Sequence, residues 1–269
     1  MNRIRDSFDQ LRQAGRKGFI PFVTIGDPDV ETSIDVVVKL AEVGSDAIEL
    51  GVPFSDPVAD GPTIQRSSQR ALANGTTLRH VLDAVREIRR RTDIPLVVFS
   101  YLNPLYRYGI GAVARDAAEA GVDAILITDA VDEEAAEYGT VFRSSGIDLI
   151  SLVAPTTTDG RLEKIASRSS GFLYAVSRAG VTGASSDMSR EAEALVERCR
   201  RVTQLPIAVG FGISTAEQIS EVWRYADAAV VGSAIVARIA ESQREQVVGN
   251  VESFVKALLP QFAKYSLEP

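Results

Sequence analysis

The sequence has one cysteine, Cys199, and one histidine, His80, among 269 residues. A lone cysteine excludes an internal disulfide and a cysteine-rich metal site. A lone histidine excludes a two- or three-histidine metal centre and argues against a histidine-based triad. Lysine is scarce as well, present only at positions 17, 39, 164, 256 and 264. Positive charge is in deficit, with 29 Lys and Arg against 36 Asp and Glu and a net charge of −7. A general nucleic-acid binder needs a basic surface, so nucleic acid is not an expected partner. No apolar run approaches the ~18 residues of a membrane span, and no membrane association is expected. The stretch MNRIRDSFDQ carries no apolar signal-peptide core, which points to a reduced, cytoplasmic protein. Neither G-x-x-x-x-G-K-[ST] nor G-x-G-x-x-G occurs.

What is present is a succession of short apolar runs alternating with helix-length amphipathic stretches. Three runs open with an apolar residue and proline: Ile20-Pro21-Phe22-Val23, Ile94-Pro95-Leu96-Val97-Val98-Phe99 and Leu205-Pro206-Ile207-Ala208-Val209. Four have aspartate at their entry, at Asp46, Asp123, Asp148 and Asp227, and an eighth is Phe172-Leu173-Tyr174-Ala175-Val176. Short, nearly continuous apolar runs are the mark of parallel strands covered by helices. Residues 30–43 and 78–91 carry apolar residues at helical spacing, Ser214-Thr215-Ala216-Glu217 reads as a capping box, and residues 244–263 read as a closing helix. Eight β-then-α units in about 250 residues fit an α/β fold of the (β/α)8, or TIM, barrel type, with a doubly wound open sheet as the second choice. Nothing splits the chain, so residues 1–269 are expected to form one domain. Residues 1–15 form an extra N-terminal helix in this reading, set to plug the barrel bottom.

Active sites in such barrels lie at the C-terminal ends of the strands. Strand side chains alternate, so Ala47 and Glu49 pointing inward leave Ile48 and Leu50 to face the helices. The same parity turns Phe22 and Tyr174 inward. Glu49 is then an isolated carboxyl in an apolar, aromatic mouth, where burial raises its pKa and suits it to acid–base work. A structural Glu paired with an Arg is the competing reading. Asp60, in a Pro- and Gly-rich loop, reaches the same mouth, or else is a solvated loop acid or the cap of a helix starting at Pro62. Gly212 after strand 7, and Gly232-Ser233 opening a helix after strand 8, bring backbone N–H groups to one corner beside the Gly180–Gly183 loop. That corner suits a phosphate, unless the glycines serve only as turns. No lysine stands at a strand end for a Schiff base, and no ligand cluster suggests a metal. Cys199 and Trp223 read as inert helix residues, and the basic clusters at 86–91 and 198–201 as solvated helix ends.

The run Ile48-Glu49-Leu50-Gly51-Val52-Pro53-Phe54-Ser55-Asp56-Pro57-Val58-Ala59-Asp60-Gly61-Pro62-Thr63-Ile64-Gln65 closely resembles the signature of the tryptophan synthase alpha-subunit family. Ser177-Arg178-Ala179-Gly180-Val181-Thr182-Gly183 resembles that family's mobile loop after strand 6. Gly210-Phe211-Gly212-Ile213-Ser214 and Val231-Gly232-Ser233-Ala234-Ile235-Val236 resemble its phosphate loops. The match covers about residues 4 to 260. It departs at Thr128-Asp129-Ala130-Val131, where the family commonly has a proline.

The resemblance implies a lyase that cleaves indole-3-glycerol phosphate to indole and glyceraldehyde 3-phosphate. Glu49 would act as proton donor and acceptor, and Asp60 would stabilise charge on the indole nitrogen. Phe22 and Tyr101 would form the indole slot, while Tyr174 and Thr182 orient groups. Gly183, Gly212, Gly232 and Ser233 would hold the phosphate. It further implies no cofactor in this chain and an α2β2 complex with a β subunit that carries pyridoxal phosphate. The loop from Pro53 to Pro62, with Val52, Phe54 and Val58 expected to be exposed, suits the contact with that partner. A stand-alone lyase, or a phosphate-liganded regulatory subunit with little catalysis, are the alternatives.

Overall fold

A computed structural model describes residues 2–130, 132–176, 185–210 and 212–259. Eight parallel strands close into a barrel in sequence order: β1 Gly18–Thr24, β2 Ile48–Gly51, β3 Leu96–Ser100, β4 Ala124–Ile127, β5 Asp148–Val153, β6 Leu173–Val176, β7 Ile207–Gly210 and β8 Ala228–Val231. Closure is made by β1 against β8, with Gly18 opposite Ala228 and Pro21 opposite Val231. The open-sheet alternative is thereby excluded.

The helices are α1 Arg3–Gln13, α2 Val30–Glu42, α3 Pro62–Ala73, α4 Leu78–Arg89, α5 Leu102–Tyr108, α6 Ile110–Ala120, α7 Asp132–Ser144, α8 Asp159–Arg168, α9 Ser185–Val202, α10 Ala216–Val222, α11 Ser233–Glu241 and α12 Val247–Leu258. The expected closing helix is thus a 3₁₀ turn, Arg244–Gln246, followed by α12. Its final residues, from 260 onward, lie outside the described residues. The capping box of α10 sits one residue later than expected. Thr215, not Ser214, is the N-cap, and Gln218 rather than Glu217 reaches back to it.

Strand alternation splits the apolar residues into two cores. Ile48, Leu50, Val23 and Phe19 pack against the helices, while Ile20, Ala47, Leu126, Ile150 and Tyr174 fill the barrel. The lower end of that inner core is closed by α1, whose Ile4, Phe8 and Leu11 join it. The Phe8 and Phe172 rings lie 5.7 Å apart. Burying such a side chain contributes roughly 2 kcal/mol.

The entry aspartates explain how the bottom is fastened. Asp46, Asp123 and Asp227 each accept a backbone N–H from the strand alongside, from Phe19, Leu96 and Ile207 at 2.9, 2.8 and 2.9 Å. The chain before β1 meets all four aspartates. Asn2 donates to Asp148 at 2.9 Å, Arg3 pairs with Asp123 at 3.0 Å, Arg16 with Asp46 at 3.8 Å and Lys17 with Asp227 at 3.6 Å.

Two arginines expected in solvated helix ends are instead structural. Arg89 is largely buried, pairs with Asp123 and donates to the Gly121 carbonyl at 2.9 Å. Arg198 donates to the Pro155 carbonyl at 3.2 Å and pairs with Asp159 at 2.7 Å. Trp223, at the end of α10, donates through Nε1 to the Gly18 carbonyl at 2.9 Å. Cys199 is buried in α9, and burial pushes its thiol up to about 11. Among the described residues no helix is long and apolar enough to cross a membrane.

Candidate active site

An open-mouthed cleft of about 500 Å³ lies at the C-terminal ends of the strands, lined by Phe22, Glu49, Asp60, Gly61, Ile64, Phe99, Tyr174, Gly212, Val230, Gly232 and Ser233. A concave, largely apolar cleft with a few convergent polar groups suits a small molecule. Seven of the residues singled out from the sequence meet here: Phe22, Glu49, Asp60, Tyr174, Gly212, Gly232 and Ser233. Thr182 and Gly183 lie outside the described residues, as do Ser177 to Gly180 and Phe211.

Glu49 comes from the middle of β2, opposite Phe22 on β1 and Val97 on β3. Its side chain is shut away from water, with the residue 1% exposed, and its Oε1 has no hydrogen-bond partner among the described residues. Burial pushes the carboxyl up to about 8. No arginine is paired with it among the described residues, so they show no structural ion pair for Glu49.

Asp60 stands just before α3. Gly61, not Asp60, is the N-cap, and no side chain caps that helix. The Asp60 carboxyl is therefore left for the cleft, and its Oδ2 accepts from the Tyr101 hydroxyl at 3.0 Å. Burial pushes it up to about 6, against the lowering effect of that hydrogen bond. Tyr101 also accepts the Ala59 N–H at 2.9 Å. It does not line the cleft itself. Tyr101 stands behind Asp60, and its ring packs at 5.0 Å against Phe54. Its hydroxyl pKa is raised, chiefly by burial and then by the Asp60 charge.

Two glycines let aromatic side chains take their places. A Cβ on Gly51 would stand 2.4 Å from Phe22 Cζ, and one on Gly210 would stand 2.1 Å from the Tyr174 hydroxyl. Tyr174 is thereby held in the barrel interior, its hydroxyl pKa raised by burial first and by Glu49 and Asp60 after it. Phe22 meets Phe99 edge to face, with centroids 5.3 Å apart at 81°. Phe99 and Ile64 are wall residues that the sequence reading passed over. Phe99 lies two residues after the inward Val97, so the same parity that found Glu49 would have found it.

The opposite corner is built from backbone. Gly212 has a positive φ of 74°, and Gly232 is the N-cap of α11, which starts at Ser233 without a side-chain cap. Uncapped N–H groups and the helix dipole make such a terminus attractive to an anion. No group of three or more His, Cys, Asp or Glu able to hold a metal occurs among the described residues.

The loop between β2 and α3 is less open than expected. Val52 is buried in the outer core and Phe54 is half-buried, whereas Val58 is 85% exposed. Beyond the departure at Thr128, Asp129 accepts the Leu102 N–H at 2.7 Å and so fastens the start of α5. Val131 lies outside the described residues.

The family model described as tryptophan synthase alpha chain matches residues 8–263. The tryptophan synthase alpha chain of Citrifermentans bemidjiense is 49% identical over 258 residues, which span 96% of this chain and 97% of that protein. Its counterpart in Geobacter sulfurreducens is 45% identical, with 96% of this chain and 98% of that protein covered. The solved tryptophan synthase alpha subunit of Legionella pneumophila superposes with a TM-score of 0.90 at 33% identity, covering 98% of this chain and 99% of that one. A chain from the tryptophan synthase α2β2 complex of Pyrococcus furiosus does so with 0.85 at 40% identity, covering 90% and 98%.

Proposed function

The chain belongs to the tryptophan synthase alpha chain family, and we propose that Glu49 and Asp60 are the carboxylates with which it works. It is a carbon–carbon lyase that cleaves indole-3-glycerol phosphate to indole and glyceraldehyde 3-phosphate. Direct cleavage would leave an indolyl carbanion, a poor leaving group. Protonation at indole C3 first makes an iminium that accepts the electrons of the breaking bond.

Glu49 carries a proton at neutral pH because burial raises its pKa to about 8. It donates that proton to C3 and, now a carboxylate, takes the proton of the side-chain hydroxyl beside the scissile bond. The aldehyde forms, the C–C electron pair returns to the ring, and no net proton is consumed. Asp60, ionised above about 6, accepts from the indole N–H and offsets the positive charge that develops there. Phe22 and Phe99 form the aromatic wall for the indole, and the Tyr174 hydroxyl orients groups beside Glu49. Gly212, Gly232 and Ser233 receive the phosphate at the start of α11. Thr182 and Gly183 keep the orienting and phosphate roles that the family resemblance gives them.

The observation that carries this reading is the meeting of a buried glutamate whose Oε1 has no partner among the described residues, a second carboxyl and an uncapped helix start in one cleft. Indole release tests it, with the phosphorylated substrate set against its dephosphorylated form. The phosphate ester should react far better, because remote binding energy positions the reacting end. Equal turnover of both would overturn the phosphate corner.

The partner is the β subunit of an α2β2 complex, the assembly named for the Pyrococcus furiosus relative. In this reading the β subunit carries the pyridoxal phosphate and uses the indole, and this chain needs no cofactor of its own. It docks at the barrel mouth, where Val58 and Tyr106 are 85% and 67% exposed. A cleft lined by Pro53, Phe54, Asn103 and Arg107 runs beside them. A cytoplasmic location belongs to the same proposal.

A further inference from the structure

The loop that carries Asp60 is held from two sides. From between β3 and α5, Tyr101 holds the Ala59 N–H and the Asp60 carboxyl. From α3, the Gln65 side-chain amide donates to the Asp60 carbonyl at 2.9 Å and to the Pro57 carbonyl at 3.4 Å. Both partners are acceptors, so only the NH₂ end of the amide can face them. Gln65 thus closes residues 57–60 into a compact turn, which the Asp60 N–H completes by donating to Pro57 at 3.1 Å.

The helix beneath Gln65 is itself anchored. Ser67 meets Thr24 at 2.7 Å, and Arg70 binds Asp27 through two hydrogen bonds of 2.7 Å, with Asp27 only 1% exposed. Gln65 therefore works from a fixed base at the end of β1, while Val58, within the turn, is 85% exposed.

We propose that Gln65 is a positioning residue for cleavage, its carboxamide holding the backbone of residues 57–60 so that the Asp60 carboxyl stays turned to Tyr101 and the cleft. The inference rests on the reading of Asp60 given above. Gln65 is not among the residues lining the cleft. Its loss lets the turn open and the Asp60 carboxyl swing toward water, while the phosphate corner and the aromatic wall stay in place. Turnover then suffers more than substrate binding. Among the described residues the titratable groups around the Asp60 carboxyl are Tyr101, Tyr174 and Glu49, with Asp129 acting on Tyr101, and none of them is cationic. Relief of burial is thus the dominant change on opening, and it lowers the Asp60 pKa.

The test uses the full chain with Gln65→Met, which keeps the length and removes the donors. Indole release from indole-3-glycerol phosphate gives kcat and KM, and a ¹³C-NMR titration follows the Asp60 carboxyl. The expected result is a fall in kcat of about tenfold or more with KM within about twofold. The Asp60 midpoint should move down from about 6 toward the ordinary carboxyl range. Gln65→Glu, which sets an acceptor against two carbonyls, should lose turnover alike. In an Asp60→Asn background, Gln65→Met should cost nothing further.

A folded Gln65→Met with wild-type kcat and an unmoved Asp60 midpoint would overturn the proposal. So would failure of both Gln65 variants to fold, since that marks a structural role. Near-normal turnover in Asp60→Asn would instead overturn the reading of Asp60, whatever Gln65 does.

Discussion

The Tyr101 hydroxyl stands 3.0 Å from Asp60 Oδ2 and donates to it, while accepting the Ala59 N–H at 2.9 Å. Burial and this hydrogen bond pull the carboxyl in opposite directions, and burial is the stronger. The phenol thereby favours the ionised form of Asp60 against its burial.

Tyr101→Phe removes the hydrogen bond and leaves most of the burial. The Asp60 pKa should then rise from about 6. A hydrogen bond to a charged group contributes roughly 1.5–3 kcal/mol, so a rise of about one to two units is expected. The acid limb of the kcat/KM profile should move up by that amount, opposite in sign to the shift expected for Gln65→Met. An unmoved limb would show that the phenol does not govern Asp60.

Glu49 makes the fold sensitive to alkali. Its native pKa, about 8, lies above its ordinary value of 4.5, so the native state holds a proton that the unfolded chain has already released. Stability should be fully retained below about 4.5, decline as pH rises toward about 8, and level off beyond it. Glu49→Gln does not titrate. Its advantage over the wild type in urea denaturation should be absent at pH 4 and fullest above pH 8, and an advantage that does not change with pH would contradict the burial account.

At the barrel bottom, Asp123 takes the Leu96 N–H and the guanidinium groups of Arg3 and Arg89, and only 7% of its side chain is exposed. Asp123→Ala strands the largely buried Arg89 and should cost about 3–5 kcal/mol. Arg3→Ala removes a cation that is 32% exposed and should cost about 1 kcal/mol or less. Chemical denaturation of the two variants checks the order, and a larger loss for Arg3→Ala would contradict it.

Gly51→Ala should disturb the cleft through Phe22, whose Cζ would lie 2.4 Å from the new Cβ. Overpacking of this kind costs about 1–3 kcal/mol. The displaced ring should lower kcat/KM for indole-3-glycerol phosphate, and Phe22→Leu in the same chain should restore stability by making room. Wild-type kinetics in Gly51→Ala would show that Phe22 does not shape the indole wall.

The barrel was legible because seven of the eight strands announce themselves, by an apolar-Pro entry or an entry aspartate. Parity along β1, β2 and β6 then turned Phe22, Glu49 and Tyr174 inward. What escaped depends on contacts between distant segments. The family resemblance gives Tyr101 a place in the indole slot, and only the structure shows that β3 ends at Ser100, that α5 begins at Leu102 and that the Tyr101 hydroxyl meets the Asp60 carboxyl. Arg89 looked solvated because nothing local shows that the end of α4 abuts the entry to β4, where Asp123 waits. The capping box slipped by one residue because Ser214 and Thr215 are both good N-caps, and only the reach of the Gln218 side chain decides between them. Gln65 carries no signal in spacing, since its partners are carbonyl groups of a loop whose fold the sequence does not state.

The central claim is that Glu49 moves the proton that lets the C–C bond break. Its most direct test is the cleavage rate of Glu49→Gln on indole-3-glycerol phosphate under single-turnover conditions, with substrate affinity measured on the same preparation. The amide keeps the shape and cannot shuttle a proton, so the rate should fall by at least about 10²–10⁴-fold while affinity is largely kept. A cleavage rate close to that of the wild type would contradict the account.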